Sequence, residues 1–455
     1  MKCALLADFG STYTKLTAVD LMKEDILATS KAFTTIEDVN IGLGNALDHL
    51  ETQIGKKEYD LKLACSSAAG GLRMVTVGLV KELTAKASEM AALNAGAKVL
   101  KVFSYELTDD NMAEMKDLRP EIILLSGGID GGNKEVIIQN ARKIASSDLE
   151  AITIVAGNKV ATDIIRKIFD EAGKDYVVTE NVMPDYNKLN IEPARSKIRE
   201  VFLNRIIFAK GLGKIKDTMN DIVMPTPSAV LKAISILSHG TLKEKGLGEL
   251  LAIDVGGATT DVYSIAEQKP FEGNTVMKGL PEPEDKRTVE GDLGLKYSLD
   301  SLYEALNMTQ KSKIDLEAFK TYLEKVLEDP SILPDDDAQL LEHQLTFGAI
   351  EEAVNRHVGE LSIQYTIHGS VRCQQGKDLT TIRTIVGTGG PMINSKVPTE
   401  LFEAVLYNDA AGQRLKPKEA KFYLDHKYIL AAMGLLATYY PEKAIRIMKK
   451  ELKKV

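Results

Sequence analysis

The sequence is short of the residues that would build a disulfide or metal scaffold. Its 455 residues include three cysteines, Cys3, Cys65 and Cys373, with no CxxC pair and no histidines at ligand spacing. That excludes a disulfide framework and argues against a zinc or iron–sulfur site within one chain. A basic surface is also missing. The net charge of −8 argues against nucleic acid as a partner, since phosphate binding draws on Lys and Arg. Long apolar runs are lacking too. Asp8 interrupts the apolar start after a few residues, too soon for a signal peptide, and Tyr428 to Tyr440 is about two-thirds of the roughly 20 residues that span a bilayer. A soluble, cytoplasmic protein is expected, with neither nucleic acid nor membrane as partner. Two nucleotide signatures are absent as well: there is no GxxxxGK[ST] and no GxGxxG opening a helix.

What is present is an internal resemblance. Ala4 to Lys15 (ALLADFGSTYTK) runs as an apolar strand, an aspartate, a glycine turn and a second strand. Leu250 to Asp261 (LLAIDVGGATTD) repeats that order, with Asp254 and Gly256 in the places of Asp8 and Gly10. Further on, Ile122 to Leu125 leads into Ser126-Gly127-Gly128-Ile129-Asp130-Gly131-Gly132, and Thr384 to Val386 leads into Gly387-Thr388-Gly389-Gly390-Pro391. Each half also holds a small-residue helix suited to close packing at a hinge, Ser228 to Leu237 and Tyr428 to Thr438. The length calls for two to four domains or subdomains. The pattern predicts an α/β fold with a first half over 1–245, a second half over 246–427, and a connecting helix and tail over 428–455. Alternating strands and helices at about 133–215 read as an inserted α/β subdomain.

The paired hairpins carry the chemistry. A polyphosphate needs backbone N–H groups at close range, which glycine permits, and hydroxyl donors. Gly10, Ser11, Thr12 and Tyr13 supply these in the first hairpin, and Gly256, Gly257, Ala258, Thr259 and Thr260 in the second. Magnesium prefers carboxylates, often through its own water shell. Asp8 and Asp254, each ending a buried strand, suit it. Lys15 could meet phosphate and Asp261 metal-bound water, or both could be exposed hairpin charges. The bland reading, two ordinary β-turns, weakens once the hairpins are taken together with the Gly387–Gly390 turn.

These motifs resemble those of the superfamily of actin, the heat-shock chaperone ATPases and the sugar kinases. The resemblance implies a duplicated fold of two ribonuclease-H-like halves around a cleft that binds ATP and Mg2+. Asp8 to Lys15 and Asp254 to Asp261 look like its two phosphate motifs, and Ile385 to Pro391, with Gly387, Thr388, Gly389 and Gly390, its adenosine motif. Pro225 to Val230 and Tyr428 to Leu436 resemble its connecting helices. One departure concerns hydrolysis. A glutamate that precedes Pro-Thr in the chaperones is here Met224, which does no acid or base work. Slow hydrolysis, or a carboxylate from elsewhere in that role, is expected; Asp130 is the candidate or, equally, a plain turn former.

Longer strings resemble one family within the superfamily. Cys65 to Met74 (CSSAAGGLRM), Leu125 to Asn133 (LSGGIDGGN) and Arg287 to Gly294 (RTVEGDLG) are similar to the glutamate mutase L, or methylaspartate mutase accessory, proteins. The resemblance implies an ATP-dependent, chaperone-like factor that reactivates an adenosylcobalamin-dependent mutase or aminomutase by exchange of damaged cobalamin. No DxHxxG motif is present, and the resemblance implies that the cobalamin is carried by the client. Glu290 could face ribose or metal water, or open a helix. A homo-oligomer stays open. The competing functions are a small-molecule kinase of the same fold, a filament-forming relative and a cluster-carrying activator.

Overall fold

The computed structural model describes residues 2–10, 12–34, 39–67, 72–209, 219, 221–330, 332, 334–367, 369–408 and 412–455. Ser11 and the Ala68–Gly71 string lie outside the described residues.

The chain opens with β1 (Cys3–Phe9), β2 (Tyr13–Asp20) and β3 (Asp25–Phe33), each antiparallel to the next. All residues of β1 are buried because both of its faces are covered. Leu5, Ala7 and Phe9 pack with Leu43 and Leu50 of the following helix, while Ala4 and Leu6 face the opposite core. That helix, Val39–Ile54, crosses over so that β4 (Leu61–Ser66) lies parallel to β1.

The chain then leaves this sheet. β5 (Leu72–Gly78), β6 (Ala97–Ser104), β7 (Ile122–Leu125), β8 (Ile152–Val155) and β9 (Tyr176–Val178) form an all-parallel sheet of order β6-β5-β7-β8-β9. It returns as β10 (Asp221–Pro225), which pairs parallel with β4 and completes the order β10-β4-β1-β2-β3. Two expectations need correction. The α/β segment inserted between β4 and β10 begins near Leu72 rather than at about 133. Ile122–Leu125, which reads as the first half's counterpart of Thr384–Val386, is β7 of the inserted sheet. An apolar strand ending in a glycine turn suits any buried parallel sheet, so the local pattern could not tell which sheet it joins.

The second half runs through β11 (Leu250–Val255), β12 (Thr260–Ile265), β13 (Val276–Lys278), β14 (Asp285–Glu290), β15 (Glu360–Thr366), β16 (Gly369–Gln375), β17 (Thr384–Thr388), β18 (Lys421–Leu424) and β19 (Lys453–Lys454). Its main sheet has the order β14-β12-β11-β17-β18-β19, and β13, β16 and β15 form a small separate sheet. In both main sheets an antiparallel trio is extended by parallel strands next to the first strand. This repeated order is the duplicated actin-like architecture that the hairpins predict.

The connecting helices join the halves. Ala229, Ala233 and Leu237 of Thr226–His239 and Ala431, Ala432 and Leu435 of Leu430–Leu436 share one core with Leu6 of β1 and Leu250 of β11. The helices meet most closely at Gly434, where even a methyl group would overlap the carbonyl of Ala229. The tail does not stand apart, since β19 pairs with β18.

Candidate functional site: a cleft between two aspartate hairpins

The two hairpins are alike down to single hydrogen bonds. Gly10 N donates to Tyr13 O at 3.0 Å, and Gly256 N to Thr259 O at 2.9 Å. A Cβ on Gly10 would stand 2.7 Å from Tyr13 O, so the first turn needs glycine to close this tightly, and one on Gly256 would stand 3.0 Å from Thr259 O, a tight fit. Register then fixes what faces each aspartate: Asp8 pairs across the ladder with Lys15, and Asp254 with Asp261.

Both turns border one cavity of about 1450 Å3. From the first hairpin it is lined by Asp8, Gly10, Thr12, Tyr13 and Lys15, and from the second by Asp254, Gly256, Gly257, Ala258, Thr259 and Asp261. Two carboxylates from equivalent places in the fold therefore reach one space. Thr226, opening the first connecting helix, donates its hydroxyl to Asp8 Oδ1 at 2.6 Å. Lys15 Nζ lies 3.7 Å from Asp8 Oδ2 and 3.2 Å from the centre of the Tyr428 ring, and Tyr428 donates its hydroxyl to Asp254 Oδ1 at 3.4 Å. A continuous set of contacts thus runs from one aspartate to the other.

The electrostatics follow from crowding charge in a sheltered place. Burial pushes Asp254 up to about 7, helped by the negative charge of Asp261 and opposed by Lys15. Burial lowers Lys15, while Asp8 and Asp254 pull it back up. Asp261 is already committed: Arg287 Nε reaches its Oδ1 at 2.7 Å, and the Thr259 hydroxyl donates to its Oδ2 at 2.9 Å. Among the described residues no three His, Cys, Asp or Glu side chains gather into a ready-made metal cage. Two carboxylates beside a roomy cavity instead fit a hydrated Mg2+, which keeps most of its waters. The narrow glycine turns and the Lys15 ammonium suit phosphate.

Other expected site residues fall elsewhere. Asp130 stands in the turn after β7, where its Oδ1 accepts from Lys159 N and Asn181 Nδ2, both at 3.0 Å; it belongs to the inserted sheet, not to the cavity lining. Glu290 ends β14 and does not open a helix; its carboxylate pairs with Arg356 at 2.8 Å. The Thr260 side chain points behind its hairpin, donating to Leu293 O at 2.7 Å. In the adenosine-like motif Gly390 lines the cavity. Gly387 and Thr388 belong to β17, with Gly387 packed against Met392 and Phe402 and the Thr388 hydroxyl donating to Asp425 Oδ2 at 3.2 Å. Gly389 makes the turn between that strand and Gly390. Met224 is buried in the core shared by the halves.

Comparison with known proteins decides the family. A family model described as MutL protein matches residues 4–452. The chain belongs to the MutL family. This is the glutamate mutase L family that the longer strings resemble. A MutL relative, Protein MutL from Clostridium tetanomorphum, is 48% identical over 465 residues, which span 100% of both chains. Among solved structures, a Plasmodium falciparum glycerol kinase with ADP is similar at TM-score 0.36 and 10% identity, over 100% of this MutL-family chain and 93% of the kinase. The activator of the 2-hydroxyisocaproyl-CoA dehydratase from Clostridium difficile gives TM-score 0.31 and 10% identity, over 100% and 98%. At these scores the fold assignment stands on strand order alone.

Sequence reasoning missed several residues at the cavity of this MutL-family chain. Arg287 sits 26 residues beyond Asp261 and reaches it only because β14 pairs with β12. Thr226 lay in a recognised helix start without an assigned task. Lys296 and His343 line the cavity with no sequence signal, since they come from a loop and from the helix Asp336–His357. Among the described residues no helix is long and apolar enough to cross a membrane.

Proposed function

We propose that this MutL-family chain binds Mg-ATP in the cleft, hydrolyses it slowly, and uses nucleotide state to switch between arrangements of its halves. Through that switch it reactivates an adenosylcobalamin-dependent mutase or aminomutase by exchange of damaged cobalamin. One observation supports the nucleotide part above all others: Asp8 and Asp254, at equivalent positions of a duplicated hairpin, border the same cavity.

In this reading Asp8 and Asp254 hold Mg2+ through its water shell, and the bound ion supplies positive charge against the triphosphate. Thr226 orients Asp8 through its Oδ1, which leaves Oδ2 directed toward Lys15. Lys15, held over the Tyr428 ring, offers its charge to a phosphate. Gly10, Thr12 and Tyr13 of the first hairpin and Gly256 to Thr259 of the second line the space where the phosphates would lie. Gly390, Pro391, Ile393 and Asn394 line the same cavity, as do Lys296 and His343, and would supply the wall for adenosine.

Slow hydrolysis fits the remaining carboxylates. Of those lining the cavity besides Asp8 and Asp254, Asp261 is paired with Arg287, Glu342 lies 3.4 Å from Lys296, and Glu400 lies 3.4 Å from His343. Each is already engaged, so a strong base for the attacking water is lacking among the described residues. The mutase client rests on family membership and not on the cleft.

Two measurements test this. Titration calorimetry with Mg-ATP and with Mg2+-free ATP should show tight, Mg2+-dependent binding that Asp8→Asn weakens; no binding at all would end the nucleotide reading. Candidate mutases inactivated with hydroxocobalamin should recover on adding this protein, ATP, Mg2+ and fresh adenosylcobalamin. Failure with every mutase would remove the client reading and leave the nucleotide reading intact. A small-molecule kinase is the second reading, because the cavity continues past the hairpins to Lys31, His49 and Gln53, with room for an acceptor. Turnover that requires a small acceptor would favour it.

A further inference from the structure

Arg287 reaches two parts of the molecule at once. It lies on β14 of the second half, where Nε and Nη2 hold Asp261 Oδ1 at 2.7 and 2.6 Å. Its Nη1 donates to the carbonyl oxygens of Leu93 at 2.9 Å and Ala97 at 3.3 Å, in the inserted segment. Those carbonyls sit where the helix Lys86–Asn94 of the inserted segment ends and β6 begins. Arg287 is 4% exposed, yet both it and Asp261 border the cavity.

The geometry exploits what distinguishes arginine. A rigid fork of five donors can serve a carboxylate and a pair of carbonyls together, whereas a lysine ammonium cannot span both at these angles. The carbonyls at a helix C-terminus carry partial negative charge, which adds to the attraction. A buried guanidinium tolerates little loss of its partners, because the unpaired charge would be left without solvent.

We propose that Arg287 is a positioning residue of the nucleotide site that passes the state of the second phosphate hairpin to the inserted segment. This rests on the Mg-ATP reading above. With phosphate and cation beside the hairpin, Asp261 gains a competing partner. Arg287 then follows its carboxylate and loosens its hold on Leu93 and Ala97. The corner between the helix Lys86–Asn94 and β6 is released from the second half, which gives each nucleotide state its own contacts, as a switch requires. A neighbouring bond, from Asn94 Nδ2 to Asp285 O at 3.1 Å, crosses the same boundary without touching the cleft.

Hydrogen exchange on the full chain, with and without Mg-ATP, tests the proposal at residues 86–104. In the wild type Mg-ATP should change exchange there by about tenfold, the scale of a typical coupling between sites. Arg287→Lys, compared at Mg-ATP concentrations that saturate it, should lose that change, and Asn94→Ala should keep it. If Arg287→Lys does not fold, Asp261→Asn replaces it and should also lose the change, since the line begins at that carboxylate. A response like the wild type's in the variant tested, an equal loss in Asn94→Ala, or a wild type that binds Mg-ATP with no change at 86–104, each overturns the proposal alone. A wild type that binds no Mg-ATP overturns it together with the nucleotide reading.

Discussion

The ammonium of Lys15 lies 3.2 Å from the centre of the Tyr428 ring, so a strand of the first half is capped by the segment that leads into the second connecting helix. The ring and its hydroxyl act separately, because the face meets Lys15 while the oxygen reaches Asp254. Tyr428→Phe should preserve most nucleotide affinity, since the cation stays over an aromatic face. Tyr428→Leu should lose about 1–2 kcal/mol of it, the worth of a sheltered cation–π contact, as read by calorimetry.

Asp254 should trade stability for binding. Its pKa lies at about 7 in the fold, above the ordinary carboxylate value. Between those two values the folded protein keeps a proton that the unfolded chain has lost, so stability falls as pH rises through that window, and the whole penalty applies above about 7. Asp254→Asn should therefore melt higher than the wild type at pH 8 without nucleotide, by about 2 °C or more for a chain of this size. With Mg-ATP the order should reverse, because only the wild type gains from binding. Thermal melts with and without Mg-ATP check both halves of this expectation.

Asp130 should prove structural. Its Oδ1 accepts two hydrogen bonds within the inserted segment and borders no part of the cleft. Asp130→Ala should destabilise the protein by about 1–3 kcal/mol, leaving Lys159 N and Asn181 short of an acceptor. The ATP turnover number should not change when measured on the folded protein.

Gly434 sets the distance between the connecting helices. Gly434→Ala would drive a methyl into the carbonyl of Ala229, and the backbone must move to make room. A cost of about 1–3 kcal/mol is expected in denaturant midpoints, typical of overpacking. Gly44 is a control, because its added methyl meets nothing within 4 Å.

His357 should make the protein acid-sensitive. Its ring is fully buried between the hydroxyls of Thr288 and Ser264, each at 2.8 Å. Burial, with Lys286 and Lys377 nearby, holds its pKa well below the usual histidine value. Below about pH 6.5 the unfolded chain takes up a proton that the folded ring refuses. Stability then falls with pH, by up to about 1.4 kcal/mol per unit from this one group. His357→Gln should melt lower at neutral pH but show a flatter profile between pH 6.5 and 5.

Local chemistry was enough to read the hairpins. An apolar strand, an aspartate and a glycine turn within twelve residues carry their own signal, and Gly10 and Gly256 close the same backbone bond in both halves. The small-residue helices were legible for a similar reason, since only residues such as Gly434 and Ala229 allow so close a crossing. Tertiary structure alone decided which sheet each strand joins. Ile122–Leu125 and Thr384–Thr388 look alike as sequence, yet they lie in an inserted sheet and in a main sheet. It also decided what each charge does. Asp130 and Asp261 are both acidic residues beside glycine-rich turns, and long-range pairing gave one to Asn181 and the other to Arg287. Backbone turns depend on neighbours in sequence, whereas strand pairing and the burial of charge depend on partners that only the folded chain brings near.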